Sequence, residues 1–145
     1  MIDLGRYRQE WNDSFEFSFV EPTDLNEREL AVYGLRDAVI RLAKVDRSKY
    51  GIDEILISET MRLNEAGSSQ VLGIWEPAAH RIVIRRDQLR SAASFCGVLL
   101  HEVSHAVSGA SDNTMDFEDA LTERMGVAVS EALSQLAVPQ VGPSP

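Results

Sequence analysis

Apolar residues recur at two different spacings along this chain, and the switches between them mark its elements. Between Ser14 and Val20, Phe15, Phe17 and Phe19 alternate with Ser14, Glu16 and Ser18, the period of a half-buried strand. Pro22-Thr23-Asp24 ends that run, and Asp24 or Asn26 can cap a following helix whose first turn carries Glu27 and Glu29. The helix is expected to reach about Val45, with Ala31, Leu35, Ala38, Val39 and Leu42 as its core stripe. Arg28, Asp37, Arg41 and Lys44 form its solvated face. Ser48 to Ile52 reads as a turn, Glu54 to Thr60 as a strand around Ile55, Leu56 and Ile57, and Asn64 to Ser69 as a polar turn. Val71 to Trp75 and Arg81 to Ile84 are two apolar runs joined by Glu76 to His80, a hairpin pattern.

The spacing then returns to that of a helix. From Ser91 to Ser108, Ala92, Phe95, Leu99, Val103 and Ala106 share one side, while Ser94, Gly97, His101, Ser104, His105 and Ser108 share the other. Gly109 closes this helix. A second one, from about Met115 to Leu136, carries Phe117, Leu121, Met125, Ala128, Ala132 and Leu136 as its apolar stripe. These elements define an α+β fold, a small twisted β-sheet packed on helices. One domain is expected over residues 1–137, followed by a Pro-rich disordered tail over 138–145. The stretch Met1 to Asn12 fits a short helix or an arm equally well.

Composition narrows the partners. The 145 residues suffice for one core and are short for two. A net charge of −9 disfavours a general nucleic-acid-binding surface, which would be basic. The exception is a cluster of Arg81, Arg85, Arg86 and Arg90, which reads as a solvated strand end or as a contact for an acidic segment or a nucleic-acid backbone. The single cysteine, Cys96, cannot form an internal disulfide, which fits a reducing compartment. No stretch has the length of a membrane span and the N-terminus has no apolar run of the signal-peptide kind, so a soluble cytoplasmic protein is expected.

The chemistry lies in the helix after Ser91. Two of the three histidines in the chain stand in His101-Glu102-Val103-Ser104-His105, the H-E-x-x-H pattern of zinc peptidases. Positions i and i+4 share a helix face, so His101 and His105 can offer imidazole nitrogens to one Zn2+ ion. Glu102, about 100° round the helix from His101, can take a proton from a zinc-activated water without being a ligand. Small residues on the histidine side leave room for a substrate backbone.

A catalytic zinc usually takes a third protein ligand. On a wheel centred at Leu121, Glu118 falls about 60° away, within the apolar stripe, where a carboxylate is costly unless paired or metal-bound. Asp116, Asp119 and Glu123 fall on the far side. Glu118 is therefore the favoured ligand, with Thr122 one turn on to orient it, and Asp112 is the rival, since a loop residue before a helix can also reach a metal. His80 sits in the hairpin turn and reads as solvated. Cys96, about 140° from His101, should face the core.

Leu72-Gly73-Ile74-Trp75, a short turn, Arg81-Ile82-Val83-Ile84, then Phe95 and Leu100-His101-Glu102-Val103-Ser104-His105 resemble the ImmA/IrrE type of small bacterial zinc metallopeptidase. The resemblance covers about residues 70–130, and the metal helix is its only specific motif. It implies a gluzincin-like site, with His101 and His105 as metal ligands, Glu102 as the catalytic glutamate and Glu118 as a loose match to the downstream glutamate, closer to His105 than the family leads one to expect. It also implies cleavage of a regulatory protein such as a helix-turn-helix repressor in a stress or antiphage response, with single-stranded DNA as a trigger. The stretch Ile57 to Leu63 and the C-terminal half further resemble domains appended to histidine-kinase-like ATPase modules, which implies an ATPase partner.

Two functions of different class follow. One is a selective zinc endopeptidase whose extended protein substrate adds itself along Arg81–Ile84. The other is a zinc-binding regulatory module that cleaves nothing. The presence of Glu102 favours the enzyme, because a structural zinc site needs no free glutamate beside its histidines.

Overall fold

The computed structural model describes residues 16–61 and 71–137. The stretch 1–15, the polar turn expected at 64–69 and the tail 138–145 lie outside them. The fold is α+β. Helices α1 (Glu27–Tyr33), α2 (Arg36–Leu42) and α3 (Arg47–Tyr50) precede strand β1 (Glu54–Ser58). Strands β2 (Gly73–Glu76) and β3 (Arg81–Arg85) follow, then helices α4 (Ala92–Ser108) and α5 (Met115–Ala137).

The sheet order is β1-β3-β2. β3 runs parallel to β1, with Ile55 opposite Ile82 and Ile57 opposite Ile84. It runs antiparallel to β2, with Ile74 opposite Val83 and Trp75 opposite Ile82. A central strand is covered on both faces, and Ile82, Val83 and Ile84 are fully buried, as an unbroken apolar run should be in that position. Arg81–Ile84 therefore has a neighbour on each side and cannot accept a substrate as an added strand. That expectation is corrected. Among the described residues, β2 is the strand with an open edge beside α4.

The Phe15–Phe19 alternation does not produce a strand within the described residues, only a single antiparallel bridge between Phe19 and Ser58. The Ser18 N–H turns to the hydroxyls of Ser58 and Thr60 instead of a ladder carbonyl. The Arg81 guanidinium lies over the rings of Phe17 and Phe19, so this apolar face meets a cation rather than the core.

The helix expected over residues 26–45 exists as two pieces. Asn26 caps α1 through a capping box with Glu29, but the chain turns at Gly34 and Leu35 and restarts as α2. The break shifts the helical phase. Val32, Tyr33, Val39, Ile40 and Ala43 are buried, while Ala31 and Leu35, two members of the expected stripe, are exposed. Tyr33 anchors the break by donating its hydroxyl proton to the Ile55 carbonyl at 2.6 Å. The turn expected at 48–52 contains α3, capped by Asp46 and ended by Gly51 in the left-handed region.

Helix α4 is capped by Ser91 and stops at Gly109, also left-handed at φ 64°. Its buried positions Phe95, Leu99 and Val103 lock it under the sheet, and Tyr33 meets Phe95 edge-on at 6.4 Å. Helix α5 packs along α4, with Phe117 buried and Ala128 against the core. Arg124 fastens it by donating to the Ala43 carbonyl at 2.7 Å, at the end of α2. The other side of α5 is also apolar and stays exposed: Met115, Met125, Val129, Leu133 and Leu136. No helix among the described residues is long and apolar enough to cross a membrane.

Three of the four clustered arginines pair within the chain. Arg81 binds Glu76, Arg85 binds Asp87, and Arg86 joins Glu29 and Glu59. Arg86 thereby ties α1, the end of β1 and the turn after β3 together, and it holds the Glu29 carboxyl below its ordinary pKa.

Candidate metal centre

The two histidines of α4 converge as their spacing requires. Their rings lie 5.0 Å apart at 71°, and the ligand atoms of His101, Glu102 and His105 all fall within 4.8 Å of one another. This triad could hold a metal ion.

Asp112 completes the cluster. It sits in the short loop between α4 and α5, between left-handed Gly109 and left-handed Asn113. Its Oδ1 lies 3.0 Å from His101 Nε2 and 2.9 Å from His105 Nε2. Those separations are a few tenths of an ångström inside the roughly 3.3 Å edge of a tetrahedron built from ordinary zinc–nitrogen and zinc–oxygen bonds. The proton placement fits as well. His105 Nδ1 lies 2.8 Å from the Ala110 carbonyl, which can only accept, so Nδ1 carries the proton and the lone pair of the neutral ring is on Nε2. Two imidazole Nε2 atoms and a carboxylate oxygen thus converge on one point, where they could hold a metal ion.

Glu118 is not brought to that point. It lies on the exposed side of the first turn of α5, outside the group of converging ligand atoms. The physical reason is the orientation of α5. Phe117 is buried and Ala128 packs against the core, and Glu118 lies about 100° round from Phe117. Thr122 shares its exposed side. His80 is held in the hairpin turn with Nδ1 3.3 Å from the Gly51 carbonyl, apart from the cluster. Cys96 packs against the core, and burial pushes its thiol pKa up.

Glu102 occupies a position that would otherwise be core. It is only 6% exposed. Burial pushes its carboxyl up to about 7; Asp112 adds to the rise, while His105 and a hydrogen bond from the Trp75 backbone N–H oppose it.

The Trp75 contact defines how the sheet meets the site. The Arg85 N–H donates to the Leu72 carbonyl at 2.9 Å. Bonded pairs alternate along an antiparallel ladder, so the backbone groups of Gly73 and Trp75 point away from β3, towards the open edge. That edge runs over α4 beside Glu102. Gly73 permits the approach: a Cβ there would lie 2.7 Å from Val98 Cγ1 and 3.3 Å from Glu102 Cγ. Sequence reasoning passed over Gly73, although a glycine inside a strand pattern marks close backbone approach.

Gly73→Ala is expected to destabilise the protein by about 1–3 kcal/mol, the range for overpacking. Val98→Ala in the same chain should recover part of that loss, because it removes the methyl the new Cβ meets. Chemical denaturation of the four proteins of this cycle measures the coupling. Identical losses with and without Val98 would mean that the contact is not the cause.

Comparison with protein-family models, with curated proteins and with solved structures finds no match to this chain.

Proposed function

We propose that this protein is a zinc-dependent metallopeptidase that hydrolyses a peptide bond in an extended segment of a protein. The observation that carries this reading is the convergence of His101, His105 and Asp112 beside a buried Glu102, next to the open edge of β2. His101, His105 and Asp112 would hold the ion. The ion would supply Lewis acidity, polarising a carbonyl and lowering the pKa of a water to about 7.

The remaining work falls to the chain itself. Glu102 accepts the proton of the attacking water as its oxygen bonds to the carbonyl carbon, then delivers that proton to the amine nitrogen as the C–N bond breaks. One water is consumed and a carboxylic acid and an amine are released, the acid then passing its proton to the amine to give carboxylate and ammonium. The outward N–H and carbonyl of Gly73 and the carbonyl of Trp75, whose N–H is taken by Glu102, would bind a substrate strand by main-chain hydrogen bonds, which selects flexible or unfolded segments over folded ones. By its resemblance to the ImmA/IrrE type, the substrate would be a regulatory protein such as a helix-turn-helix repressor, encountered in the cytoplasm.

The test is to load the purified protein with zinc and incubate it with unfolded polypeptides and with regulators encoded beside its gene, with and without single-stranded DNA or a neighbouring ATPase, reading products by mass spectrometry. Cleavage that a chelator stops and zinc restores is the expected result. Full zinc occupancy with no cleavage of any of them would favour the regulatory-module reading.

A further inference from the structure

Phe117 is the residue of α5 that reaches the candidate metal centre. It is buried, and its ring stacks on His105 with centroids 4.1 Å apart at 21°. The same ring meets His101 at 4.8 Å and 60°. One side chain therefore bears on both imidazoles. From the geometry we infer that Phe117 is a positioning residue, holding the two histidine rings in the orientation that aims both Nε2 atoms at one cation. This inference rests on the reading of His101 and His105 as metal ligands.

The two histidines need such help unequally. The final torsion of a histidine side chain is broad, so a ring with one anchor can swing. His105 has a second anchor in the Ala110 carbonyl. His101 has none among the described residues: its only hydrogen-bond partner is Asp112, through the same Nε2 that would face the metal. The ring of Phe117 is then what restrains His101 from the other side. The Phe117 backbone is itself anchored through Thr114. Its N–H donates to Thr114 Oγ1 at 3.2 Å, and that hydroxyl donates to the Ser111 carbonyl at 2.8 Å. The segment that delivers Asp112 and the segment that delivers Phe117 are thus one capped turn. Outer partners that orient metal-binding histidines typically contribute 10–100-fold to affinity.

The test uses cobalt(II), whose visible spectrum reports ligand geometry, in the full chain. Phe117→Leu keeps apolar bulk and removes the ring. Phe95→Leu is the control, since Phe95 is also buried, on α4, but meets Tyr33 rather than the histidines. Affinity comes from competition with a chelator, and stability from melting of the metal-free protein. Phe117→Leu should lose cobalt affinity by about tenfold or more and change the spectrum, with a melting temperature no lower than that of Phe95→Leu. Phe95→Leu should melt lower than wild type and bind cobalt normally. If Phe117→Leu does not fold, Phe117→Met carries the same expectation. Wild-type affinity and spectrum in the Phe117 variant would overturn the positioning role and leave the metal site standing. Failure of the wild-type protein to bind cobalt or zinc at all would overturn both.

Discussion

Glu102→Gln is expected to keep its zinc and its melting curve while losing turnover by roughly 10² or more, the lower end for removal of a general base. The substitution preserves shape. Glutamine can still accept the Trp75 N–H through its side-chain carbonyl, and it fills the same volume beneath β2. It removes only the capacity to take up and release a proton. A neutral side chain also suits this site, because the carboxylate is only 6% exposed and its burial is unfavourable when charged. Metal analysis, thermal melting and initial rates on one substrate separate the three properties. Equal turnover by both proteins would show that hydrolysis does not pass through Glu102, or belongs to a contaminant.

Removal of a metal ligand should have the other large effect. Asp112→Ala is expected to weaken zinc binding beyond the roughly 10–100-fold that loss of an outer-shell partner costs. His101→Ala and His105→Ala should do the same, and Glu118→Ala should bind like wild type. The distinction follows from position. The Asp112 oxygen stands within 3.0 Å of both imidazole nitrogens, whereas Glu118 is exposed on α5 and takes no part in the cluster. Competition with a coloured chelator gives the four affinities. Zinc retained in Asp112→Ala and lost in Glu118→Ala would return the third-ligand role to Glu118.

The contrast between those carboxylates shows where sequence reasoning reached and where it stopped. The helical period put Glu118 within a core-facing apolar stripe, but in the structure it is exposed. The period could not say which apolar face of α5 packs, because α5 has two. Phe117 and Ala128 turn inwards, while Met125, Val129, Leu133 and Leu136 stay exposed on the side of Glu118. Asp112 was weighed from its place before a helix, but its reach depends on the left-handed backbone at Gly109 and Asn113, a property of the folded loop. By contrast, the histidine pair and the limits of α4 were legible because spacing and caps are local: i and i+4, Ser91 before, Gly109 after.

Long-range pairing was the least legible. The hairpin of β2 and β3 could be read from its turn. The insertion of β3 between β1 and β2 could not, since strand order need not follow chain order. That choice decides which edge is open, and it moves the proposed substrate strand from Arg81–Ile84 to the far side of β2. Gly34 was a readable break signal within the first long helical pattern. The tertiary bond from Tyr33 to Ile55, which fixes that break, was not readable.

The ligand atoms and the proton acceptor depend on different parts of the molecule. His101, His105, Asp112 and Phe117 follow one another closely in the chain, so the chelating unit closes over a short loop at small entropic cost. The dry surroundings of Glu102 come from β2, which reaches it only through the sheet, by way of Gly73 and Trp75. A fluctuation that lifts β2 off α4 would hydrate Glu102 and leave the chelating unit intact. If the protein is the peptidase proposed above, ion capture and bond cleavage can be uncoupled, and a partner seated on β2 would control the reaction rate without displacing the ion.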